Sequence, residues 1–220
     1  ALTALRRQGH PGWSALSGVA FEVEVKMRVD GKGVESRQGS VLVTHQGFSG
    51  PAVMDLSRSA ALAREGACVE VVFDFALGYD ESALEHLIGS ARRQPKVAGV
   101  LARELKLPRR LAEFLADDEQ ERQGVYWSRR PEKTRRKLLG RIRHYPVPLD
   151  GVEGFERAEV TAGGVDTADV RHATMESKLV SGLYFAGEIL DVDGCVGGYN
   201  LQWAWTSGAL AGRAAAESLR

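Results

Sequence analysis

Residues 19–29 read VAFEVEVKMRV, and they alternate without a break. Val19, Phe21, Val23, Val25, Met27 and Val29 fall on one side of an extended chain, with mostly charged residues on the other. A period of two is that of a half-buried β-strand, so the chain must build a sheet with one wet face. Asp30-Gly31 follows, a pair that tolerates positive φ. The polar stretch to Gly39 then leads into SVLVTHQG, so the spacing predicts a hairpin with a generous loop. Ser49-Gly50-Pro51 reads as an N-cap followed by a first-turn proline, opening a helix over PAVMDLSRSAALAR, and a third strand is expected over 68–75.

From 83 to 145 the texture changes. SALEHLIGSARR, KVAGVLAREL, PRRLAEFLADDE and PEKTRRKLLGRIRHY carry apolar positions three and four apart, which predicts short helices in a small subdomain. Pro95, Pro108 and Pro131 are the expected breaks. Pro146-Val147-Pro148 reads as an extended linker. Beyond it, FERAEVTAGGV and SGLYFAGEIL each read as a strand running into a glycine turn. The uninterrupted apolar run 183–186 suits a parallel strand covered on both faces.

Over 220 residues, 44% hydrophobic content supports a substantial core. Lys+Arg and Asp+Glu balance at 29 each, so total charge attracts neither nucleic acid nor an anionic membrane. Cys68 and Cys195 have neither metal-ligand nor CxxC spacing, which fits a reducing compartment. No apolar run reaches the ~20 residues of a membrane span, and ALTALRRQGH is no signal peptide. The expected location is the cytoplasm, with no membrane partner. The chain lacks an initiator Met, which reads as a processed chain, an excised piece or a trimmed one.

The segment GCVGGYNLQWAWTSGALAG is crowded with small residues. At helical spacing Leu201, Ala204, Trp205, Gly208, Ala211, Gly212 and Ala215 share a face able to approach another backbone. Gly197-Gly198 leaves the first amides of that helix unobstructed, so its positive dipole end faces an electron-rich oxygen.

GFERAEVTAGGV, TMESKLVSGLYFAGEILDVDG and GGYNLQWAWTSGALAG together resemble the C-terminal flavin-binding segment of the YhiN-like flavoproteins, the family of the aminoacetone-oxidase-type, NAD(P)- and FAD-dependent oxidoreductases. SVLVTHQGFSGPAVMDLS and LPRRLAEFLAD resemble its upstream segments. The resemblance implies a mixed α and β fold. A β-rich inserted domain would span 9–80 with 146–158 returning, a helical subdomain 81–145, and the C-terminal part of an FAD-binding Rossmann-like α/β domain 159–220.

It also implies FAD as cofactor, NADH or NADPH as possible donor, and a small-molecule substrate. Gly187 and Glu188 match the turn that meets the ribityl chain. Gly198, Tyr199, Asn200 and Leu201 match the helix start at the flavin pyrimidine edge, where amides stabilise charge developing at N1 and C2=O. Gly163, Gly164 and Gly197 join this cofactor-binding set. Amine oxidation by O2 and reduction of an unsaturated substrate are both outcomes in such a family.

A complete protein of this kind also needs a G-x-G-x-x-G turn between strand and helix. GKGVES has Ser36 at the third glycine position and sits in the expected hairpin loop. The nucleotide-binding half is therefore expected as a separate N-terminal part, and this chain alone as a poor FAD binder. A non-catalytic fragment or scaffold is the alternative.

GFSGP departs from G-x-S-x-G at Pro51, which leaves Ser49 as a cap. His45 is a candidate for the flavin cavity or a structural histidine, and Tyr199 the other weak catalytic candidate. Residues 129–143 hold eight bases and one acid, Glu132. Without aromatic interleaving this reads as a solvated helix face rather than a nucleic-acid module, so no nucleic-acid partner is expected. Cys195 reads as a buried small hydrophobe, with approach to the flavin as the alternative, and Tyr199, Trp203 and Trp205 as core, with an aromatic wall over a ring as theirs.

Overall fold

A computed structural model describes residues 1–9, 11–90 and 96–219. The chain divides into two compact units, one of 4–152 and one of 1–3 with 153–220. Together they make a mixed α/β protein.

The larger unit is a closed six-stranded barrel of β1 (Leu5–Arg7), β2 (Ala20–Val29), β3 (Lys32–Val43), β4 (Gly47–Ser49), β5 (Val69–Asp74) and β6 (Tyr145–Val152), ordered β1-β4-β3-β2-β5-β6. Its helices are α1 (Pro11–Ser14), α2 (Pro51–Met54), α3 (Ser57–Ala61), α4 (Glu81–Ser90), α5 (Val97–Glu104), α6 (Arg109–Ala116), α7 (Glu119–Arg122) and α8 (Glu132–Arg143). A ninth helix, α9 (Tyr199–Ser218), belongs to the smaller unit.

The alternation in β2 places Phe21, Val23, Val25 and Met27 in the core, the last three fully buried. The expected generous loop is corrected to a two-residue turn. Asp30 and Gly31 take φ of 50° and 75°, and Val29 pairs directly with Lys32. Two consecutive left-handed residues match the twist of the flanking strands, so the polar stretch becomes ladder instead of loop. Asp30 Oδ1 also accepts the Cys68 amide and Oδ2 the Arg64 guanidinium; led by the Cys68 bond, these contacts hold its carboxyl below the ordinary range.

Three further expectations are corrected. The N-cap of α2 is Gly50, at φ 97° and without a side-chain cap bond, while Ser49 ends β4. Here an added Cβ would lie 2.8 Å from the Ser40 carbonyl oxygen, so the close approach of β3 excludes a side chain. The single helix after Pro51 is broken into α2 and α3. The Pro146-Val147-Pro148 linker is part of β6, which pairs with β5 and β1 to close the barrel. Both prolines point outward while Val147 and Leu149 are buried, so their missing donors cost the core nothing.

Trp13, fully buried, plugs the barrel among Phe21, Phe48 and Phe73. The helical segments share that core through Leu84, Leu101, Leu111, Leu115, Leu139 and Ile142. Pro108 and Pro131 stand at the N-caps of α6 and α8, as their missing N–H groups favour; Pro95 lies outside the described residues. One ionic cluster is built into this layer. Glu121 accepts the Val97 and Ala98 amides at 3.0 Å, capping α5, and meets Arg130 at 2.6 Å; Asp118 meets Arg130 at 3.3 Å. The Arg130 side chain is 0% exposed.

Glu121→Ala would leave that guanidinium with only the longer Asp118 contact and two helix amides without their acceptor, and is expected to cost about 3 kcal/mol or more in urea unfolding. The double variant Glu121→Leu/Arg130→Met should cost less than Glu121→Ala, since no buried charge is left alone. An equal or larger loss would refute the assignment.

Candidate functional site

The smaller unit has little regular sheet. The strands expected in FERAEVTAGGV and SGLYFAGEIL are corrected to one-turn 3-10 helices at Phe155–Arg157 and Gly187–Ile189, with isolated bridges at Val165–Leu190, Val170–Ser177 and Glu176–Tyr184. The 183–186 run is not covered on both faces, for Leu183 is 42% exposed. An apolar run becomes a strand only where neighbouring strands offer ladder partners, and among the described residues this unit offers single bridges.

Order comes instead from α9. Trp203, Leu210 and Ala211 pack on Val170, Met175 and Leu190. The Gly187 N–H donates to Ser207 Oγ at 2.9 Å, and its carbonyl accepts from Trp203 Nε1 at 3.2 Å. Ser207 is fully buried and donates in turn to the Trp203 carbonyl at 2.6 Å. The inward face is therefore Trp203, Ala204, Ser207 and Ala211, which keeps Ala204 and Ala211 of the predicted stripe and replaces its larger members. Leu201 and Trp205 are 62% and 68% exposed, and Gly212 is exposed. A buried serine bonding the 187 turn sets the helix rotation, which hydrophobicity alone mispredicts.

At its start, Gly198 takes the left-handed φ of 90° and no side chain caps the helix. The preceding loop folds back on Asn200. Its Oδ1 accepts the Gly194 N–H at 2.8 Å and its Nδ2 donates to the Gly194 carbonyl at 3.0 Å. An alanine Cβ at 194 would sit 2.9 Å from Tyr199 Cβ, so the loop closes only around glycine.

A cavity of about 240 Å³ lies at this helix end. Glu188, Gly197, Gly198, Asn200 and Leu201 line it, with Leu2, Glu159, Val160, Val192, Cys195, Val196, Trp203 and Ala204. Glu188 is exposed, and its Oε1 accepts the Thr161 amide at 2.7 Å; hydrogen bonding from Thr161 holds its carboxyl below the ordinary range. The remaining candidates stand elsewhere. Gly163 donates to Asp191 Oδ1 at 3.0 Å, and Gly164 packs so closely that a Cβ would fall 2.4 Å from the Ile189 carbonyl oxygen. Tyr199 is 65% exposed beside Gly197, outside the lining.

His45 is an exposed residue in the β3–β4 turn of the barrel unit, its Nδ1 3.3 Å from Ser17 Oγ. Cys195 is exposed, not buried, and Tyr199 and Trp205 are not core. Sequence reasoning missed Leu2 and Glu159, whose distance along the chain from α9 carries no signal, and Val192, which lies shortly before it. Ser207 was legible only as a helix residue, whereas Trp203 packs against the core as expected.

The cavity joins uncapped helix amides, a carboxylate and apolar walls. That combination suits a polar edge of an otherwise flat apolar group. With this geometry in view, comparison with known proteins places the chain. It belongs to the family described as HI0933-like protein Rossmann domain, whose model matches residues 14–214, a family related to flavin-dependent oxidoreductases.

Among curated relatives, it is 32% identical over 99% of its length to a 3-dehydro-bile acid delta(4,6)-reductase of Clostridium scindens, covering 53% of that protein. It is 38% identical to a ribosomal RNA dihydrouridine synthase of Haemophilus influenzae over 88% of its length, covering 45% of that protein. A ribosomal RNA dihydrouridine synthase of Escherichia coli is also 38% identical, over 76% of this chain and 40% of its own. The chain thus spans about half the length of the curated relatives it matches. No helix among the described residues is long and apolar enough to cross a membrane.

Asn200→Ala should release the 194–198 loop. Gly194 amide exchange is expected to accelerate at least about tenfold, the equivalent of about 1.4 kcal/mol; unchanged exchange would show that the clamp does not hold the loop. Glu188 adds a pH effect. Its folded carboxyl titrates below the ordinary glutamate range, so its contribution to stability is present above that range and is lost as pH falls through the folded value. Wild type should exceed Glu188→Gln by at most about 0.5 kcal/mol near neutrality, given its exposure, and the gap should close in acid.

Proposed function

We propose that this chain is the flavin-side and substrate-side portion of an FAD-dependent reductase acting on an activated carbon–carbon double bond. The observation that carries the reading is the uncapped start of α9, bare at Gly197 and Gly198, opening on a cavity that also holds a carboxylate. Those residues fit the polar edge of a flavin. The amides of Tyr199, Asn200 and Leu201 would meet the pyrimidine side, where the helix dipole favours added negative charge. Glu188 would accept a ribityl hydroxyl on its free oxygen.

Asn200 would act at one remove, holding the glycine loop by its bonds to Gly194. Gly187, whose backbone groups are taken by Trp203 and Ser207, lies outside the lining and would act by holding the turn that carries Glu188. Bound there, FAD would supply hydride transfer.

We further propose the layout expected from sequence: a β-rich inserted domain, a helical subdomain and the C-terminal part of the FAD domain. A nucleotide-binding half would complete the site, and NADH or NADPH would serve as donor. The relatives favour reduction over amine oxidation, because a delta(4,6)-reductase and a dihydrouridine synthase are both named for saturating a carbon–carbon bond.

The test is to purify the product of the full reading frame and record its visible spectrum. The expected result is a bound flavin, bleached anaerobically by NADH or NADPH and recoloured by an enone or by uridine-containing RNA. Bleaching by a primary amine with O2 turnover would instead establish an oxidase, and absence of flavin would favour the scaffold alternative. Gly198→Val should lower flavin affinity at least about tenfold, as an added side chain covers the amides.

A further inference from the structure

In the barrel unit, a second cavity of about 720 Å³ has a composition that the proposed reductase chemistry does not use. Its volume is in the range of small-molecule sites. Phe114 of α6 and Tyr145 of β6 form its aromatic wall, their rings 5.7 Å apart and inclined by 39°. Trp13 backs both, at 5.2 and 5.5 Å, so the pair is held from behind while each ring stays only half-buried. Burial pushes the Tyr145 phenol up, and Arg141 works against that shift.

The rim is cationic through Lys137 and Arg141, with His144 beside them. Most arginines of α8 are engaged with carboxylates: Arg135 with Glu85, Arg136 with Glu132 and Arg143 with Asp74. Arg141 differs. Its guanidinium donates to the carbonyls of Phe114 at 2.8 Å and Asp117 at 3.0 Å, which fixes its position without cancelling its charge. Lys137 is exposed and makes no ion pair among the described residues. The acid on this rim, Asp117, is bound by Arg122 at 2.9 Å, which together with Arg141 holds its carboxyl below the ordinary range.

A half-exposed pair of aromatic faces beside uncancelled, partly immobilised positive charge fits a flat ring that carries an anion. A simple anion would not need the rings, and an apolar ligand would gain nothing from the cations. We propose that this cavity binds a nucleotide, its base against Phe114 and Tyr145 and its phosphate at Lys137 and Arg141. Phe114 comes from a stretch of chain separate from the run that carries Lys137, Arg141 and Tyr145, so the second aromatic face beside the cations is supplied by the fold. The nucleotide could be free or part of an RNA strand, which share this chemistry.

The test titrates the 220-residue chain with uridine 5′-monophosphate and with a short single-stranded oligouridylate, by calorimetry at several salt concentrations. Binding by wild type is expected. Tyr145→Leu should weaken it between about 5- and 150-fold, while Tyr145→Phe, which keeps the ring, should bind as wild type. Lys137→Glu should weaken both ligands and lower the oligonucleotide salt slope by about 0.7. Arg213→Glu, the same charge change on α9, should have no effect.

Much tighter binding of the oligonucleotide identifies a strand as the source, and equal affinity a free nucleotide; either supports the site. The proposal is overturned if neither ligand binds wild type, if Lys137→Glu and Tyr145→Phe both bind as wild type while Tyr145→Leu remains folded and unimpaired, or if Arg213→Glu weakens binding as much as Lys137→Glu. None of these readings involves flavin, so they leave the reductase proposal to its own test.

Discussion

Backbone amides and carbonyls withdrawn from water must find partners, and the two units of this chain meet that requirement in different ways. The barrel does it by closure. The three residues of β1 pair with β4 on one side and β6 on the other, so the sheet has no open edge. That join is tight, since an alanine at Gly47 would place its Cβ 1.8 Å from the Leu5 carbonyl oxygen. The smaller unit has only isolated bridges, and side chains of α9 take over. Ser207 and Trp203 bind both backbone groups of Gly187, and Asn200 binds both of Gly194.

This substitution of side chain for ladder organises the candidate site. The same helix that satisfies the turns from its inward face presents an uncapped N-terminus at the cavity. Glycine serves two distinct purposes there. At 194 and 164 it admits a close neighbour, whereas at 198 nothing stands within reach of an added Cβ and the positive φ is the reason. The site therefore keeps its donors open by backbone conformation as well as by lack of bulk. The chain belongs to a family related to flavin-dependent oxidoreductases and spans about half the length of the curated relatives it matches.

The basic segment 129–143 shows how pairing reshapes charge. Arg130 is buried as a strut between Asp118 and Glu121, and Arg135, Arg136 and Arg143 each meet a carboxylate. Much of a charge run that looks uniform in sequence is thus structural, and the uncancelled part at the second cavity is local. Long-range attraction would scale with the run as a whole; a local site depends on which cations remain unpaired.

Period-two alternation determined β2 and its buried face, because adjacent side chains in a strand must point oppositely. Three- and four-residue spacing determined α4, α5, α6 and α8, and the prolines at 108 and 131 the starts of α6 and α8, whereas the short α7 carried no such signal. The resemblance of the C-terminal segment grouped Glu188, Gly197, Gly198, Asn200 and Leu201, which line one cavity, with Gly163, Gly164, Gly187 and Tyr199, which do not.

Only the tertiary structure decided that Pro146-Val147-Pro148 is a closing strand, that 183–186 is not a covered one, and that α9 turns Ser207 inward and Trp205 outward. The physical reason is common to all three. A local pattern states what a segment can bury or bond, but ladder partners and buried hydrogen-bond acceptors come from residues far away in the chain.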